Sequence, residues 1–598
     1  MSEPLNLTLV FCEREPAKIQ ATADATSDPD HPDYGRHLDR AGLDALVRLP
    51  AEERALVTTW LQANEIEVLD TPEAAPQLMF ARATRAQVER AFGDELIQWL
   101  GRNGDHRGMR IASAMPRRLA GYVLKIGGLP GEQGQMDNLI EPLPPTEGEA
   151  ARPGPASPSG GLLHGSPVEG GRPPALDGFT PAHIADIYNF PAHLTGAGET
   201  IGLMMLGGEV RMSDLHAFWH GHGITPPEVH TVQIGPVHSR PSQPLHLLEA
   251  AMTIEWAGAM APGARIVVYR LDPTIMGDPW SAFLMAVLAD RRYAPTIACT
   301  SWISPERRYY RQHGHGVVRG LLNQAAALGL TVVSAAGDWG AFDGIPRTVR
   351  DGRYVSDAPW PHAVFPAVED RVLAVGGSMI TRRDRLTEVA WSGPPPPGLQ
   401  KAVVFETLAS SGGFSEDVAI PAWQKPALRG SYSRGAATPA VVPYGRGFPD
   451  VALAAAGPHV QRSPGGPLTS TGYQAVACGQ WIDYAGGTSV AAPIWAAILA
   501  RANQARRAAG LSRVGFVNPL LYRLREAQPD PFRPVTVGGA DVAMTVLNLH
   551  GRAMTYHLPG YDCQPGWDPV TGLGVPNVEQ LIAHLIAVPC PGHPPLTS

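Results

Sequence analysis

The chain has 598 residues, which is enough for more than one domain and for a large buried core. Hydrophobic residues make up 44% and charged residues 17% of the chain, values typical of a globular protein and not of a disordered or fibrous one. The net charge of -8 and the lack of a basic run argue against nucleic acid as a partner.

The N-terminal region, residues 1–142, mixes strand-like runs with amphipathic helices. The runs LNLTLVF, IEVLD and LMFARAT are predicted strands, and AEERALVTTWLQAN and TRAQVERAFG are predicted helices, the second with Thr84 as its N-cap. This order predicts a compact α+β domain of the split βαβ, ferredoxin-like type. The first residues, MSEPLNLTLVFCEREP, lack a basic n-region and a long apolar run, so they do not predict a signal peptide.

Residues 143–178 are dense in proline, glycine and serine and show no hydrophobic periodicity. Such a composition predicts an extended linker that proteases can reach. We interpret it either as a cleavage region between a pro-segment and an enzyme, or as an inert tether.

Residues 179–587 alternate short apolar strands with helical segments. The predicted strands are TIGLMML, RIVVYRL, TIACTSW, TVVSAAG and RVLAVGG, and the helices between them include HLLEAAMTIEWAGAM and VVRGLLNQAAALG. This pattern predicts a parallel sheet covered by helices on both faces, with catalytic groups at the carboxyl ends of the strands. Residues 588–598 are a predicted frayed tail. The apolar run at 489–500 is interrupted by Pro493 and is too short to span a bilayer.

Ser489 lies in GGTSVAAP, where a glycine-rich turn runs directly into a predicted helix. A helix N-terminus supplies free N–H groups and a positive dipole end, which favour a developing oxyanion. The structural alternative is a serine that only caps a buried helix. The octapeptide is far more specific than a single serine, and it predicts the nucleophile of a subtilisin-like hydrolase.

The general base is not a histidine of the subtilisin type, because no HGTH-like segment is present. We interpret the two HGHG stretches, 220–223 and 313–316, as exposed polar turns. Glu249 lies on a strongly apolar helix, where burial would raise its pKa and suit it to act as a base in acid. Asp338 ends the strand TVVSAAGD, and a protonated acid there could donate a hydrogen bond to the oxyanion.

Several motifs together resemble those of the sedolisin (kumamolisin-type) serine-carboxyl peptidases, and the N-terminal domain is similar to the activation pro-domain of that family. The motifs are SWISPE at 301–306, GDWG at 337–340, GRGFPDVA at 445–452, GGTSVAAP at 486–493 and PGWDPVTGLGVP at 565–576. The resemblance implies a subtilisin-like α/β fold, activity at acidic pH and a cleaved inhibitory pro-domain. It also implies a Ser–Glu–Asp triad, an aspartate in the oxyanion hole and one calcium ion near the C-terminus. Carried over by motif, Ser489 is the nucleophile, Glu249 the base and Asp338 the oxyanion-hole acid.

The third member of the triad is missing. The family has an aspartate four residues after the glutamate, and this chain has Thr253. The position still adjoins Glu249, because residues i and i+4 share one helix face. Threonine can donate a hydrogen bond but cannot carry charge, so we expect a lower pKa and a looser orientation of Glu249. Losing an orienting group can cost a triad on the order of 10^4-fold in rate. Glu255 is expected to point elsewhere.

The calcium site that the resemblance implies is also altered. Pro534 stands in FRPVT where the family has an aspartate, while the Gly566 carbonyl and the Asp568 carboxylate remain. Calcium needs six or more oxygen ligands, usually with several carboxylates. The alternative is that Asp568 only fixes the turn.

Two hypotheses about function follow. The first is a serine-carboxyl endopeptidase, made as a self-inhibited precursor and acting as a monomer on polypeptides, with its own pro-domain as inhibitor and no membrane or nucleic-acid partner. The second, based on Thr253 and Pro534, is a degenerate pseudo-peptidase that serves as a binding or scaffold protein. The resemblance implies an extracellular location, for which no signal peptide is visible, and it leaves endopeptidase and tripeptidyl-peptidase action undistinguished.

Overall fold

The structure is a computed structural model, and it describes most of the N-terminal region and most of the C-terminal two thirds of the chain. The described residues are 5–69, 77–92, 119, 121–127, 166–168, 173–234, 244–271, 278–342, 348–350, 353–355, 363–382, 387–394, 406–428, 430–435, 438–457, 459–461, 468–547 and 553–588. Most of the predicted linker and nearly all of the predicted tail therefore lie outside the described residues.

The N-terminal domain has the predicted ferredoxin-like arrangement. Its antiparallel sheet has the strand order Glu67–Val68, Leu78–Ala83, Leu5–Phe11 and Val123–Gly127. Helices lie between the first and second strands of the chain and between the third and fourth: Pro16–Ser27, Arg40–Val47, Ala51–Ala63 and Arg85–Phe92. Thr84 accepts a hydrogen bond from the Gln87 N–H at 3.3 Å, as predicted for an N-cap.

The larger domain is built on an eight-stranded sheet. Its order is Thr387–Ala390, Leu373–Arg382, Thr331–Ala335, Ile297–Thr300, Thr200–Leu206, Arg265–Leu271 and Val229–Ile234, and Val451–Ala456 also pairs with Leu373–Arg382. All of these pairs are parallel except the one between Thr387–Ala390 and its neighbour. Thr200–Leu206 is buried at every position, which a parallel strand covered on both faces requires. The predicted α/β fold is confirmed.

Helices cover this sheet, and the two that carry Glu249 and Ser489 pack against each other. The helices of the larger domain are Pro181–Ile187, Met212–Gly221, Pro244–Met260, Pro279–Ala289, Glu306–His313, Gly316–Leu328, Thr488–Ala508, Asn518–Leu524 and Val578–Ala587, with a 3-10 turn at Gly340–Phe342. Among the described helices, none is both long and apolar enough to cross a membrane.

The larger domain also contains several smaller sheets. One has four strands, Thr348–Arg350, Arg353–Val355, Val542–Leu547 and Ala553–Leu558, and one has three, Tyr473–Ala477, Gln480–Ala485 and Ser166–Pro167. Ser166–Pro167 belongs to the predicted linker, and this part of it is extended and pairs with Gln480–Ala485 of the larger domain. The remaining strands pair in twos: Ser304–Pro305 with Val364–Phe365, Ser392–Gly393 with Leu408–Ala409, Gly413–Phe414 with Gly447–Phe448, His459–Gln461 with Leu468–Ser470, and Phe532–Arg533 with Val575–Pro576.

The N-terminal domain is docked on the helix Gly316–Leu328 of the larger domain through the helix Pro16–Ser27. Ile19 and Ala23 share an apolar cluster with Leu328. Gln324 donates a hydrogen bond to Glu13 at 2.6 Å beside this cluster. Ion pairs at the rim join acids of the first domain to arginines of the second: Asp24 with Arg371, Asp30 with Arg523, and Asp44 with Arg291.

Candidate active site

Ser489 lies at the start of the helix Thr488–Ala508, where the sequence placed it. The chain enters this helix through Gly487, whose φ is +84°. A Cβ atom at this glycine would lie 2.3 Å from Asp338 Oδ2, so only glycine fits between the turn and that carboxyl group. Ser489 is 1% exposed, and within the described part of the chain its Oγ makes no hydrogen bond of ordinary geometry.

Asp338 is held against the first turn of the same helix. It follows the strand Thr331–Ala335, and its Oδ1 accepts hydrogen bonds from the Thr488 N–H at 2.8 Å and the Thr488 hydroxyl at 2.7 Å. The Thr488 hydroxyl in turn accepts from the Gly337 N–H at 3.0 Å. Burial raises the pKa of Asp338 to about 6, which favours the protonated acid at lower pH. Two donors on Oδ1 favour Oδ2 as the oxygen that carries the proton.

Glu249 projects from the helix Pro244–Met260 into the same site. Its Oε1 accepts a hydrogen bond from Thr253 Oγ1 at 3.3 Å, and the hydroxyls of Ser489 and Ser301 also face its carboxylate and lower its pKa. Burial and the neighbouring charge of Asp338 outweigh these contacts and raise the pKa of Glu249 to about 8. The decrease expected from the loss of a carboxylate at Thr253 is therefore smaller than the increase caused by burial.

Glu255 and the two HGHG stretches take no part in this site. Both carboxylate oxygens of Glu255 accept from the Val476 N–H at 3.2 Å, so this side chain points away from Thr253 as expected. The stretch 220–223 ends the helix Met212–Gly221, and the stretch 313–316 joins two helices. Ser489, Glu249 and Asp338 are thus brought together with Thr253 and without a histidine of either stretch.

The segment that would hold calcium does not offer the donor set the ion needs. Asp568 Oδ1 accepts from the Val570 N–H at 2.9 Å and the Thr571 N–H at 2.8 Å, and Oδ2 accepts from the Thr571 hydroxyl at 3.1 Å. Pro534 adds no side-chain oxygen, and no group of three or more His, Cys, Asp or Glu side chains within the described residues could hold a metal ion. The contacts of Asp568 are those of a residue that fixes a turn.

Two residues of the site were not singled out from the sequence, although both lie in the motifs quoted above. Thr488 holds Asp338 in place, and Ser301 donates a hydrogen bond to the main-chain oxygen of Ser489 at 3.1 Å. The serine of SWISPE and the threonine of GGTSVAAP were the available signals. Their contacts bridge segments more than 140 positions apart in the sequence, so no local pattern could pair them.

Two family models match separate parts of this chain. Residues 1–131 match the family model "Pro-kumamolisin, activation domain", and residues 248–514 match the model "Subtilase family". Kumamolisin from Bacillus sp. (strain MN-32) is 34% identical over 416 residues, which cover 68% of this chain. The chain belongs to the sedolisin family. The matched stretch spans 64% of the length of kumamolisin.

A further relative and a solved structure are also similar to this chain. Tripeptidyl-peptidase 1 of Homo sapiens is 25% identical over 599 residues, which cover 98% of this chain and 92% of that protein. The structure of Pseudomonas sedolisin (serine-carboxyl proteinase), complexed with pseudo-iodotyrostatin, covers 69% of this chain and 99% of its own at a TM-score of 0.50 and 22% identity. At that identity the structural likeness shows the fold alone.

Proposed function

We propose that this sedolisin-family protein is a serine-carboxyl endopeptidase that hydrolyses peptide bonds of polypeptides at acidic pH and is made as a precursor inhibited by its own pro-domain. The observation that carries the proposal is the position of the Ser489 hydroxyl beside the Glu249 carboxylate, with Asp338 held at the start of the Ser489 helix. A nucleophile, a base and an acid thus converge on one buried point.

In the proposed reaction, Ser489 Oγ attacks the scissile carbonyl carbon while Glu249 accepts the hydroxyl proton. The carbonyl oxygen gains negative charge as the tetrahedral intermediate forms. Protonated Asp338 donates a hydrogen bond to this oxygen, assisted by the positive end of the Ser489 helix. Glu249 then returns the proton to the leaving amine, and water hydrolyses the acyl-enzyme by the same steps.

This reaction needs one proton shared between two carboxyl groups: Glu249 ionised and Asp338 protonated. Burial raises the pKa of Glu249 to about 8 and that of Asp338 to about 6, so the pair holds one proton between those values. Each carboxyl group holds its proton more firmly while the other is charged, so the shared proton belongs to the pair. We therefore expect activity to fall on the alkaline side as the pair loses this proton, and on the acid side as it takes up a second one.

The test is incubation of the purified precursor from about pH 3 to about pH 8 with casein and with two peptides, one with a free and one with an acetylated N-terminus. Pro-domain release and cleavage of both peptides support an endopeptidase, whereas cleavage of the free peptide alone would assign tripeptidyl-peptidase action. The Ser489→Ala variant is the control. If the variant and the wild type behave alike at every pH, the proposed function is wrong.

The alternative is a pseudo-peptidase that keeps the cleft as a binding surface. Two features favour it: Thr253 in place of the third carboxylate, and a Ser489 hydroxyl without a hydrogen bond of ordinary geometry in the described structure. On this reading, an unreactive wild type should still bind peptides, and mutation of Ser489 should leave the binding unchanged. Isothermal titration of casein peptides into the Ser489→Ala variant measures this directly.

We also propose that Asp568 stabilises its turn without calcium, because its carboxylate is already occupied by protein donors. The expected result is that EDTA leaves the Tm of the precursor unchanged, and that added calcium does not raise it. A Tm that falls on chelation and recovers with calcium, but not with magnesium, would contradict this proposal.

A further inference from the structure

Pro493 affects the carbonyl group of the nucleophile. In an α-helix the N–H of residue i+4 donates to the carbonyl of residue i, so the group expected to bond to the Ser489 oxygen is the N–H of residue 493. Proline has no N–H. Pro493 lies inside the helix Thr488–Ala508, and the main-chain oxygen of Ser489 therefore loses its helical partner. Ser489 is 1% exposed, so water is a poor substitute.

Ser301 supplies the missing donor. It follows the strand Ile297–Thr300 at its carboxyl end, is buried, and donates from Oγ to the Ser489 main-chain oxygen at 3.1 Å. The same hydroxyl faces the Glu249 carboxylate, where its contact lowers the pKa of that group. Ser301 thus touches both the backbone of the nucleophile and the side chain of the base.

A serine hydroxyl has one hydrogen to donate and two acceptor positions. While Glu249 is ionised, its carboxylate and the Ser489 oxygen compete for that hydrogen. Once Glu249 has taken the proton of the nucleophile, it can donate to Ser301, and Ser301 then donates to the Ser489 oxygen alone. The hydrogen bonds of Ser301 can therefore change in step with proton transfer.

We propose that Ser301 is a positioning residue that joins the base to the backbone of the nucleophile, through the carbonyl that Pro493 leaves without a helical partner. The inference rests on the proposed function. It assigns to Ser301 part of the orienting task of the carboxylate that Thr253 replaces. It also explains the position of Pro493, four residues after the nucleophile.

The first variant is Ser301→Ala. We expect kcat to fall about 10- to 100-fold with little change in KM, because the hydroxyl orients the base and does not bind substrate. The acid limb of the pH profile, where activity falls as Glu249 takes up a proton, should move to higher pH, since ionised Glu249 loses a hydrogen-bond donor. Ser301→Thr keeps the hydroxyl and should restore both kcat and the limb.

The second variant, Pro493→Ala, separates positioning from simple structural support. It restores an N–H to the Ser489 oxygen and leaves the Ser301 hydroxyl to Glu249, so the acid limb should move to lower pH. Combined with Ser301→Ala, it should recover the Tm lost by the single variant but not its activity. Recovery of both would show that Ser301 only satisfies a buried carbonyl, and the proposal would be wrong.

A readout without turnover separates failure of this inference from failure of the proposed function. The infrared C=O band of protonated Glu249, assigned by its loss in Glu249→Gln, can be titrated in the precursor whether or not peptides are cleaved. Its midpoint should rise in Ser301→Ala and fall in Pro493→Ala. Equal midpoints in all three proteins would overturn the inference even if the wild type is an active peptidase.

Discussion

Replacing Thr253 with aspartate is expected to raise kcat for peptide hydrolysis by about 10- to 1000-fold, because losing an orienting carboxylate can cost a triad on the order of 10^4-fold. The hydroxyl of Thr253 now faces Glu249 from one turn further along the helix, at 3.3 Å. That distance is long for an O–H···O hydrogen bond. A carboxyl group in its place would make a shorter, charge-assisted bond and hold the base more firmly.

The same substitution is expected to move the acid limb of the pH profile to lower pH. Burial and the charge of Asp338 raise the pKa of Glu249 to about 8, so that Glu249 competes with Asp338 for the proton they share. When two adjacent carboxyl groups share a proton, the first ionisation of the pair takes place at lower pH than in an isolated buried group. An ionised carboxylate at this position would raise the pKa of Glu249, but while the introduced group holds the shared proton it carries no charge and donates a hydrogen bond to ionised Glu249, which frees the base at lower pH.

The measurement is the pH dependence of kcat and kcat/KM for the wild type, Thr253→Asp and Thr253→Asn. Asparagine is the matched control, since it has the size of aspartate and can donate a hydrogen bond but cannot share a proton. Only Thr253→Asp should gain activity and shift the limb. An equal gain in both variants would mean that shape, and not the acid, is what Thr253 lacks.

Acidification from about pH 7 to about pH 4 is expected to weaken docking of the pro-domain about 10- to 100-fold through His37. The ring of His37 lies between two glycines of the larger domain, Gly329 and Gly515. A Cβ atom at either would lie 2.5 to 2.6 Å from the ring. Both glycines also have positive φ, +72° and +63°. The pocket therefore requires glycine at these positions both for space and for backbone conformation.

The protonation state of docked His37 follows from its hydrogen bonds. Its Nε2 lies 3.2 Å from the main-chain oxygen of Arg513, which requires a hydrogen on that nitrogen. Its Nδ1 is buried and has no partner among the described residues, so a second proton would find no acceptor. Burial lowers the pKa of docked His37 from 6.5 to about 4, and the positive charges of Arg513 and Arg506 add to this effect.

The sign of the pH effect is that of a histidine with a lowered pKa. Above pH 6.5 the ring is neutral in both states, and its contribution to docking is complete. Between that value and about 4 the undocked pro-domain binds a proton that the docked one does not, so docking weakens. Glu13 acts in the opposite direction, because burial raises its pKa and acid favours its docked form. Two of the three rim ion pairs add little, since the Asp24 and Asp30 side chains are 59% and 79% exposed.

The experiment uses the Ser489→Ala precursor, cut in the linker by an added protease and passed through gel filtration at decreasing pH. The pro-domain and the larger domain should separate as the pH falls. In His37→Gln, whose side chain can still donate to the Arg513 oxygen, they should stay together to a lower pH than in the protein with His37. His31→Gln changes a histidine that is 40% exposed in the same domain and serves as the control. Separation of His37→Gln at the same pH as the wild type would exclude His37 as the sensor.

Much of the fold could be predicted because its signals are local. The buried strands Thr200–Leu206 and Arg265–Leu271 have the bounds their apolar runs predict, and the helices predicted at 246–260 and 317–329 are found at Pro244–Met260 and Gly316–Leu328. The ferredoxin-like order of the first domain follows from the alternation of its elements in the same way. The short paired strands, such as Gly413–Phe414 with Gly447–Phe448, have no such signal, because their pairing is set by contacts distant in sequence.

The sequence by itself determined the relations that span a few residues. It placed Ser489 at a helix start behind Gly487, Thr253 on the same helix face as Glu249, and Pro493 four positions after Ser489, because helical geometry determines what lies three or four residues apart. Only the tertiary structure decided that Asp338 is held by Thr488 and that Ser301 reaches the Ser489 carbonyl. It also brought His37 into contact with Arg513, which is 476 positions away in the sequence. It also decided that the charge of Asp338 adds to the rise in the Glu249 pKa, whose direction the apolar helix predicted, because that contact joins segments distant in sequence.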